Sequence, residues 1–164
     1  EICVALASHM LSLAGHGSYE ACEARVRGVI ADGSALDTLA KMVGAQGGNP
    51  EWIYHPDLFP AATYQKEVLA EQDGYIYHTD TEGYGIACLM LGAGRNTMAD
   101  LIDFTAGIRL HRKTGDFVKA GESIATLYTS RDGLLDGSEA RFRQATTISD
   151  TAPESRPLIL AKVD

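Results

Sequence analysis

The run from Lys113 to Leu127 restricts the fold more than any other stretch of the chain. Gly115-Asp116 and Gly121-Glu122 each supply the residues of a tight turn, and between them only a short strand fits, with Val118 directed inward. Ile124 and Leu127 carry a second strand onward. Tyr64 to Glu71 alternates in strand fashion around Val68, Asp73-Gly74 makes a turn, and Tyr75-Ile76-Tyr77 is dense in strand formers. Ile108 to Leu110 reads as a further strand. The glycine-rich stretch from Gly83 to Gly94 encloses Ile86, Ala87, Leu89, Met90 and Leu91, which suit a short buried helix inserted among the strands. An amphipathic piece with Ala140, Phe142 and Ala145 follows, and Pro157-Leu158-Ile159-Leu160 suits a closing strand.

The first part is helical. Cys3, Ala7, Met10 and Ala14 recur at helical spacing with Val4 and Leu11 beside them, and Gly15 ends that helix. Ser18 caps a second helix with apolar positions Cys22, Val26, Val29 and Ile30, and Glu20 and Glu23 lie near its positive end. Ser34 and Asp37 open a third over Leu36, Leu39, Met42 and Val43, which Gln46-Gly47-Gly48-Asn49-Pro50 stops. Pro50, Pro56 and Pro60 then punctuate the chain, with Trp52, Tyr54, Leu58 and Phe59 between them, so an irregular but packed connector is expected. The class is therefore α+β: residues 1–62 as short helices plus connector, and residues 63–164 as a second domain of strands with a helical insertion. An apolar helical pattern opens at Ile2 with no cap before it, which implies a polypeptide that continues upstream.

Fourteen Lys+Arg against 22 Asp+Glu give a formal charge of −8, which argues against nucleic acid, whose phosphates call for clustered basic residues. The densest basic patch, Arg109, His111, Arg112 and Lys113, is short and suits a solvated strand end. No apolar run approaches the roughly 20 residues of a membrane span, and nothing near the start resembles a secretory signal. Cys3, Cys22 and Cys88 are odd in number and set among apolar neighbours, as buried reduced thiols of a cytoplasmic protein would be. His9, His16, His55, His78 and His111 show no i,i+4 pair and no acidic residue at ligand spacing. Gly92-Ala93-Gly94-Arg95 lacks the third glycine of a dinucleotide fingerprint, since Thr97 stands there, and there is no Lys-Ser/Thr phosphate loop. A helix-ending turn that sends Arg95 to a nearby carboxylate fits better. Asp100 and Asp103 are expected to cap or pair locally. No residue of the chain is assigned a catalytic, substrate-binding or metal-binding role.

Lys113 to Leu127 resembles the second half of a biotinyl/lipoyl-type hammerhead, with Tyr75 to Asp80 as the matching strand of the first half. That resemblance implies a barrel-sandwich-hybrid-like core. In a carrier domain of this kind, a lysine on the hairpin between the halves accepts the prosthetic group. No lysine occurs between Lys66 and Lys113, so the swinging-arm role is excluded on chemistry.

A wider resemblance covers nearly the whole chain. Asp73-Gly74-Tyr75-Ile76, Leu91-Gly92-Ala93-Gly94-Arg95, Ile102-Asp103 with Gly107-Ile108, the run Lys113 to Ile124, and Ala152-Pro153-Glu154-Ser155-Arg156-Pro157 follow one another in a telling order. Together they resemble the C-terminal domain of the thymidine/pyrimidine-nucleoside phosphorylase family. Ala7-Ser8-His9-Met10-Leu11 and Ala45-Gln46-Gly47-Gly48 resemble the stretch that precedes it, slightly closer to the pyrimidine-nucleoside subgroup. The resemblance implies a cytoplasmic, homodimeric glycosyltransferase of nucleoside salvage. Such an enzyme converts a pyrimidine nucleoside and inorganic phosphate, its co-substrate, to the free base and a pentose 1-phosphate, with no cofactor in this part. It also implies that the residues holding phosphate and base precede this chain, in a missing N-terminal part of the same polypeptide. Helices 1–46 would then complete the phosphate-binding α/β domain, and this part would serve structure and domain closure. Two other readings share the domain: part of a nucleoside-monophosphate phosphorylase, and a stand-alone binding or scaffold module of hammerhead fold. Incubation with a biotin or lipoyl ligase is expected to leave the intact mass unchanged; a ligase-dependent adduct would restore the carrier role.

Overall fold

The computed structural model describes residues 1–95 and 97–161, so the last three residues of the second expected domain lie outside it. The chain divides into a helical unit, Glu1–Phe59 with the stretch from Arg156 onward, and a strand unit, Pro60–Ser155.

In the helical unit, α1 spans Ile2–Leu13, α2 Tyr19–Ala31 and α3 Ser34–Ala45. Ser18 caps α2, its hydroxyl accepting the Ala21 N–H at 3.3 Å, which satisfies one of the N–H groups that a helix start leaves without a partner. Cys22 and Val26 of α2 are buried as expected. On α1 the inward line is Val4 and Ser8 rather than the expected Cys3, Ala7, Met10 and Ala14; Met10 is 70% exposed. A serine at the buried position obscured that line, and its hydroxyl is satisfied by donating to the Val4 carbonyl at 2.7 Å. The connector is more regular than its prolines suggested. Glu51–Tyr54 forms a single helical turn, α4, and Pro56–Leu58 a 3-10 turn. Pro50 precedes the first and Pro56 begins the second, positions where a missing N–H costs nothing. The Trp52 and Phe59 rings meet edge to face at 5.0 Å, and the Tyr54 hydroxyl donates to Asp37 at 2.9 Å.

The strand unit contains β1 (Tyr64–Leu69), β2 (Gly74–Thr79), α5 (Thr81–Cys88), β3 (Gly107–Leu110), β4 (Phe117–Val118), β5 (Ser123–Thr129), α6 (Leu135–Gln144) and β6 (Thr146–Ser149). They form two antiparallel three-stranded sheets, in the orders β1-β5-β3 and β4-β2-β6. The unit is thus α+β, with α5 inserted between strands. The closing strand is β6, which pairs with β2 from Thr79↔Thr146 to Tyr75↔Ser149, and not Pro157–Leu160. Thr146, Thr147 and Ile148 are β-branched and suit a strand, whereas Pro157 has no N–H for a ladder.

The two turns around Val118 have the same chemistry. Asp116 N–H donates to the Lys113 carbonyl at 2.9 Å while its carboxylate accepts the Lys113 N–H at 2.8 Å. Glu122 does the same toward Lys119, at 2.9 and 3.1 Å. The third residue of each turn must take a positive φ, and Gly115 and Gly121 do so at 98° and 84°. Each turn is then fastened to the opposite strand: Gly115 N–H to Ile76 carbonyl and Ile76 N–H to Asp116 carbonyl, both 2.9 Å, and Gly121 N–H to Ala70 carbonyl and Ala70 N–H to Glu122 carbonyl, both 2.8 Å.

One core cluster draws on both sheets, with Val68 and Leu127 from one, Ile76 and Val118 from the other, and Leu91 and Phe142 from the helical segments, all essentially sealed from solvent. Phe142 of α6 stacks on Tyr84 of α5 with ring centres 4.5 Å apart, so the two helices close the core through one aromatic pair. Phe142→Ala is therefore expected to cost about 3–5 kcal/mol in denaturant unfolding followed by circular dichroism. A loss within about 0.5 kcal/mol, as for a surface site, would show that the core is built otherwise.

Candidate functional site

A convergence of polar groups in the strand unit lies where the inserted helix ends. α5 runs on into a wide turn, Leu89–Ala93, that Gly92 terminates with a φ of 99°. A Cβ there would make ordinary contact with the Asp103 Cβ at 3.4 Å and the Arg131 guanidinium carbon at 3.5 Å, so it is the positive φ that calls for glycine. The chain leaves this turn and comes back to it at Asp103, whose N–H donates to the Gly92 carbonyl at 2.9 Å. One carboxylate oxygen of Asp103 accepts the Thr105 N–H at 2.9 Å and the Thr105 hydroxyl at 2.6 Å. The other accepts the Ser130 N–H at 2.7 Å. Ser130 and Thr105 share a hydroxyl–hydroxyl bond of 2.8 Å, and the Thr63 N–H donates to the Ser130 hydroxyl at 3.2 Å. The Thr129 hydroxyl donates to the Leu91 carbonyl at 2.8 Å, and the Arg131 side chain donates to the Leu101 carbonyl. The Asp103 carboxylate thus ties its own loop to the end of β5, while its N–H holds the α5 turn and the Ser130 hydroxyl holds the residue before β1.

The Thr105 hydroxyl bond, the largest influence, holds the Asp103 carboxyl below the usual carboxylate range; burial opposes this, and the Ser130 and Thr105 N–H groups and the Arg131 charge reinforce it. A carboxylate so stabilised, with both oxygens engaged, is a poor general base. Its chemistry is that of a fastener. Asp100 likewise bonds locally, accepting the Thr97 N–H and hydroxyl, both at 2.9 Å. The guanidinium beside Asp103 is that of Arg131, from beyond β5, and not Arg95, which is exposed.

The remaining residues singled out by the sequence are scattered. The His9 ring lies 4.5 Å from that of Tyr19, and His111 Nε2 bonds the Thr126 hydroxyl at 2.8 Å. His16, His55 and His78 are exposed. Among the described residues, no group of three or more His, Cys, Asp or Glu is placed to hold a metal ion. In the basic patch, Arg112 pairs with Glu122, while Arg109 and Lys113 face solvent. The expectation of buried thiols holds for Cys22 but not for Cys3, which is exposed on the outward side of α1, and Cys88 is half-buried. Burial pushes the Cys88 thiol up, against a weaker hydrogen bond with the Ile108 backbone, so the thiolate is disfavoured. No described helix is long and apolar enough to cross a membrane.

These features define an α+β module in which the conspicuous polar groups fasten loops. Comparison with known proteins gives it relatives. Residues 75–149 match the pyrimidine nucleoside phosphorylase C-terminal domain. The similarity also extends well beyond that domain. The chain is 36% identical over 164 residues to the pyrimidine-nucleoside phosphorylase of Geobacillus stearothermophilus, covering 99% of this chain and 38% of that protein. It is 37% identical over 154 residues to that of Staphylococcus haemolyticus, covering 90% of this chain and 36% of that protein. A Staphylococcus aureus relative of the same name is 36% identical over 151 residues. The chain thus corresponds along nearly its whole length to the C-terminal part of pyrimidine-nucleoside phosphorylases. It spans little more than a third of the length of these relatives.

Asp103→Asn is expected to destabilise the strand unit at neutral pH by about 1–3 kcal/mol, since it removes the charge that three donors hold. Because the folded Asp103 titrates below an unfolded aspartate, its contribution is complete above about pH 4 and disappears as pH falls through the folded value. Thermal melts from neutral to acid pH should therefore converge for wild type and variant at the acid end. Parallel curves at every pH would show that the carboxylate carries no such role.

Proposed function

We propose that this chain is the C-terminal, non-reacting part of a pyrimidine-nucleoside phosphorylase. The reaction is attack of a phosphate oxygen on C1′ of the pentose: the C1′–O bond forms, the C1′–N1 bond breaks, and N1 of the base takes up a proton. The products are the free pyrimidine and a pentose 1-phosphate. A transition state with oxocarbenium character requires cations and donors around the phosphate and around the departing base. Those groups come from the polypeptide that precedes this stretch in the family; no catalytic, substrate or metal ligand is assigned to the present residues, and no cofactor.

The observation that carries the reading is similarity along 99% of the chain, through both the helical and the strand units, to one enzyme. A free-standing module of hammerhead type would share only the strand unit. In this reading, residues 1–62 are the helical end and connector of the phosphate-binding α/β domain. Residues 63–164 are the appended domain, of barrel-sandwich-hybrid kind, that moves with it on closure. The whole enzyme is a cytoplasmic homodimer. The strand unit's fasteners at Asp103, Asp116 and Glu122 support this role, because a body that closes on a reaction centre must keep its shape.

The 164-residue chain alone is expected to release no uracil or thymine from uridine or thymidine in phosphate buffer, whereas the polypeptide encoded by the whole gene does. Turnover by the isolated chain would place the reacting residues here and overturn the proposal.

A further inference from the structure

Along its 12 residues, α1 carries no Asp, Glu, Lys or Arg. Its inward line, Val4 and Ser8, is buried. On its outward side, Ile2, Leu6, Met10 and Leu13 follow at intervals of four, four and three residues and form one stripe about 16 Å long. They are 46, 60, 70 and 88% exposed. Helices α2 and α6 look different. α2 bears Glu20, Glu23, Arg25 and Arg27, and α6 bears Asp136, Glu139, Arg141 and Arg143. A helix that is apolar on two sides and uncharged throughout has the composition of a buried helix.

We infer that this outward stripe is the seam on which the rest of the phosphorylase polypeptide seats. The inference rests on the functional reading above, in which the chain is one part of a longer enzyme. One observation selects that occupant over a second copy of the chain. Similarity to the Geobacillus relative includes α1, so the helix belongs to the shared architecture, and that relative has well over half its length outside the matched stretch. The face is also free of charge, so the matching surface is apolar. Buried carboxylates or ammonium groups opposite it would find no partner.

Cys3 provides the probe. It is exposed and stands three and seven residues before Leu6 and Met10, on the same side of the helix. Iodoacetamide labelling of the Cys3 peptide, followed by mass spectrometry, is compared between the 164-residue chain and the polypeptide of the whole gene. Labelling in the longer polypeptide should be slower by about tenfold or more, and Leu6→Glu with Met10→Glu should restore it. In the short chain the same pair of substitutions should leave the melting temperature unchanged, because both side chains are already exposed there. Equal labelling of Cys3 in the two wild-type proteins would overturn the seam without any variant. So would concentration-dependent shielding in the short chain together with a doubled mass, which would make a second copy the occupant. Shielding of Cys3 in a long polypeptide that shows no phosphorolysis would uphold the seam and sink the functional reading instead.

Discussion

The strand unit depends on two backbone exchanges, one at each turn around Val118. Between Lys113 and Ser123 the chain leaves the end of β3, joins the other sheet for the two residues of β4, and returns to the first sheet as β5. A segment that changes sheets twice over so short a path cannot form ladders long enough to hold itself. Its place is set by the paired bonds Ile76–Gly115/Asp116 and Ala70–Gly121/Glu122. Asp73 adds a third hold by accepting the Ala120 N–H at 2.7 Å. With both ends fixed, Val118 is driven into the core, where none of its surface remains exposed. The glycines make this possible, because the third position of each turn needs a backbone conformation that costs an L-residue roughly 1–2 kcal/mol.

The excess of acidic residues has a related use. At the level of composition, a charge of −8 speaks only of solubility and of which partners are disfavoured. In the fold, many of the carboxylates accept backbone N–H groups at points where the chain turns: Asp32 from Ser34, Asp80 from Glu82, Asp103 from Thr105 and Ser130, Asp116 from Lys113, and Glu122 from Lys119. For Glu122 the Lys119 N–H is the largest influence holding its carboxyl below the ordinary range, followed by Arg112. Such bonds are local, and protonation of the Asp103 and Glu122 carboxyls weakens those that hold them below the ordinary range. A domain rich in short turns and poor in long strands therefore concentrates its sensitivity to acid in its loops rather than in its core.

What the sequence disclosed, and what it hid, follows from the range of the interactions. The turns at Gly115 and Gly121, the cap at Ser18 and the strands at Val68, Tyr75 and Ile108 are set by residues within a few positions of each other, and they were legible. The Asp103 fastener joins groups that lie 27 residues apart in the case of Ser130, and no local pattern announces it. Arg131, which stands beside Asp103, is likewise brought in from far along the chain. β6 was hidden for a different reason. The apolar run at Pro157–Leu160 looked more strand-like than Thr146–Ser149, but strand formation there is decided by the ladder that β2 offers, and proline cannot supply the donor. On α1 the periodicity was correct and the face was wrong, because both sides of the helix are apolar and only contact with α2 distinguishes them.

A module with no assigned reacting group can still govern a reaction through rigidity. Interactions made remotely from the bond being broken favour the transition state only if the body that makes them resists deformation; a soft body would relax around the ground state and lose the difference. β5 is suited to that requirement. It is hydrogen-bonded on both edges, to β1 and to β3, and Ile124, Ala125, Thr126 and Leu127 are buried in succession. At its end, Thr129, Ser130 and Arg131 reach the α5 turn and the Asp103 loop through side chain and backbone, so a displacement of the loop must move the strand, and the strand is held by two neighbours. In the proposed phosphorylase the consequence is that the strand unit is carried through closure as one body and does not bend within itself. The substitutions most damaging to turnover from this part of the chain would then be those that loosen the fasteners, far from the phosphate and the base.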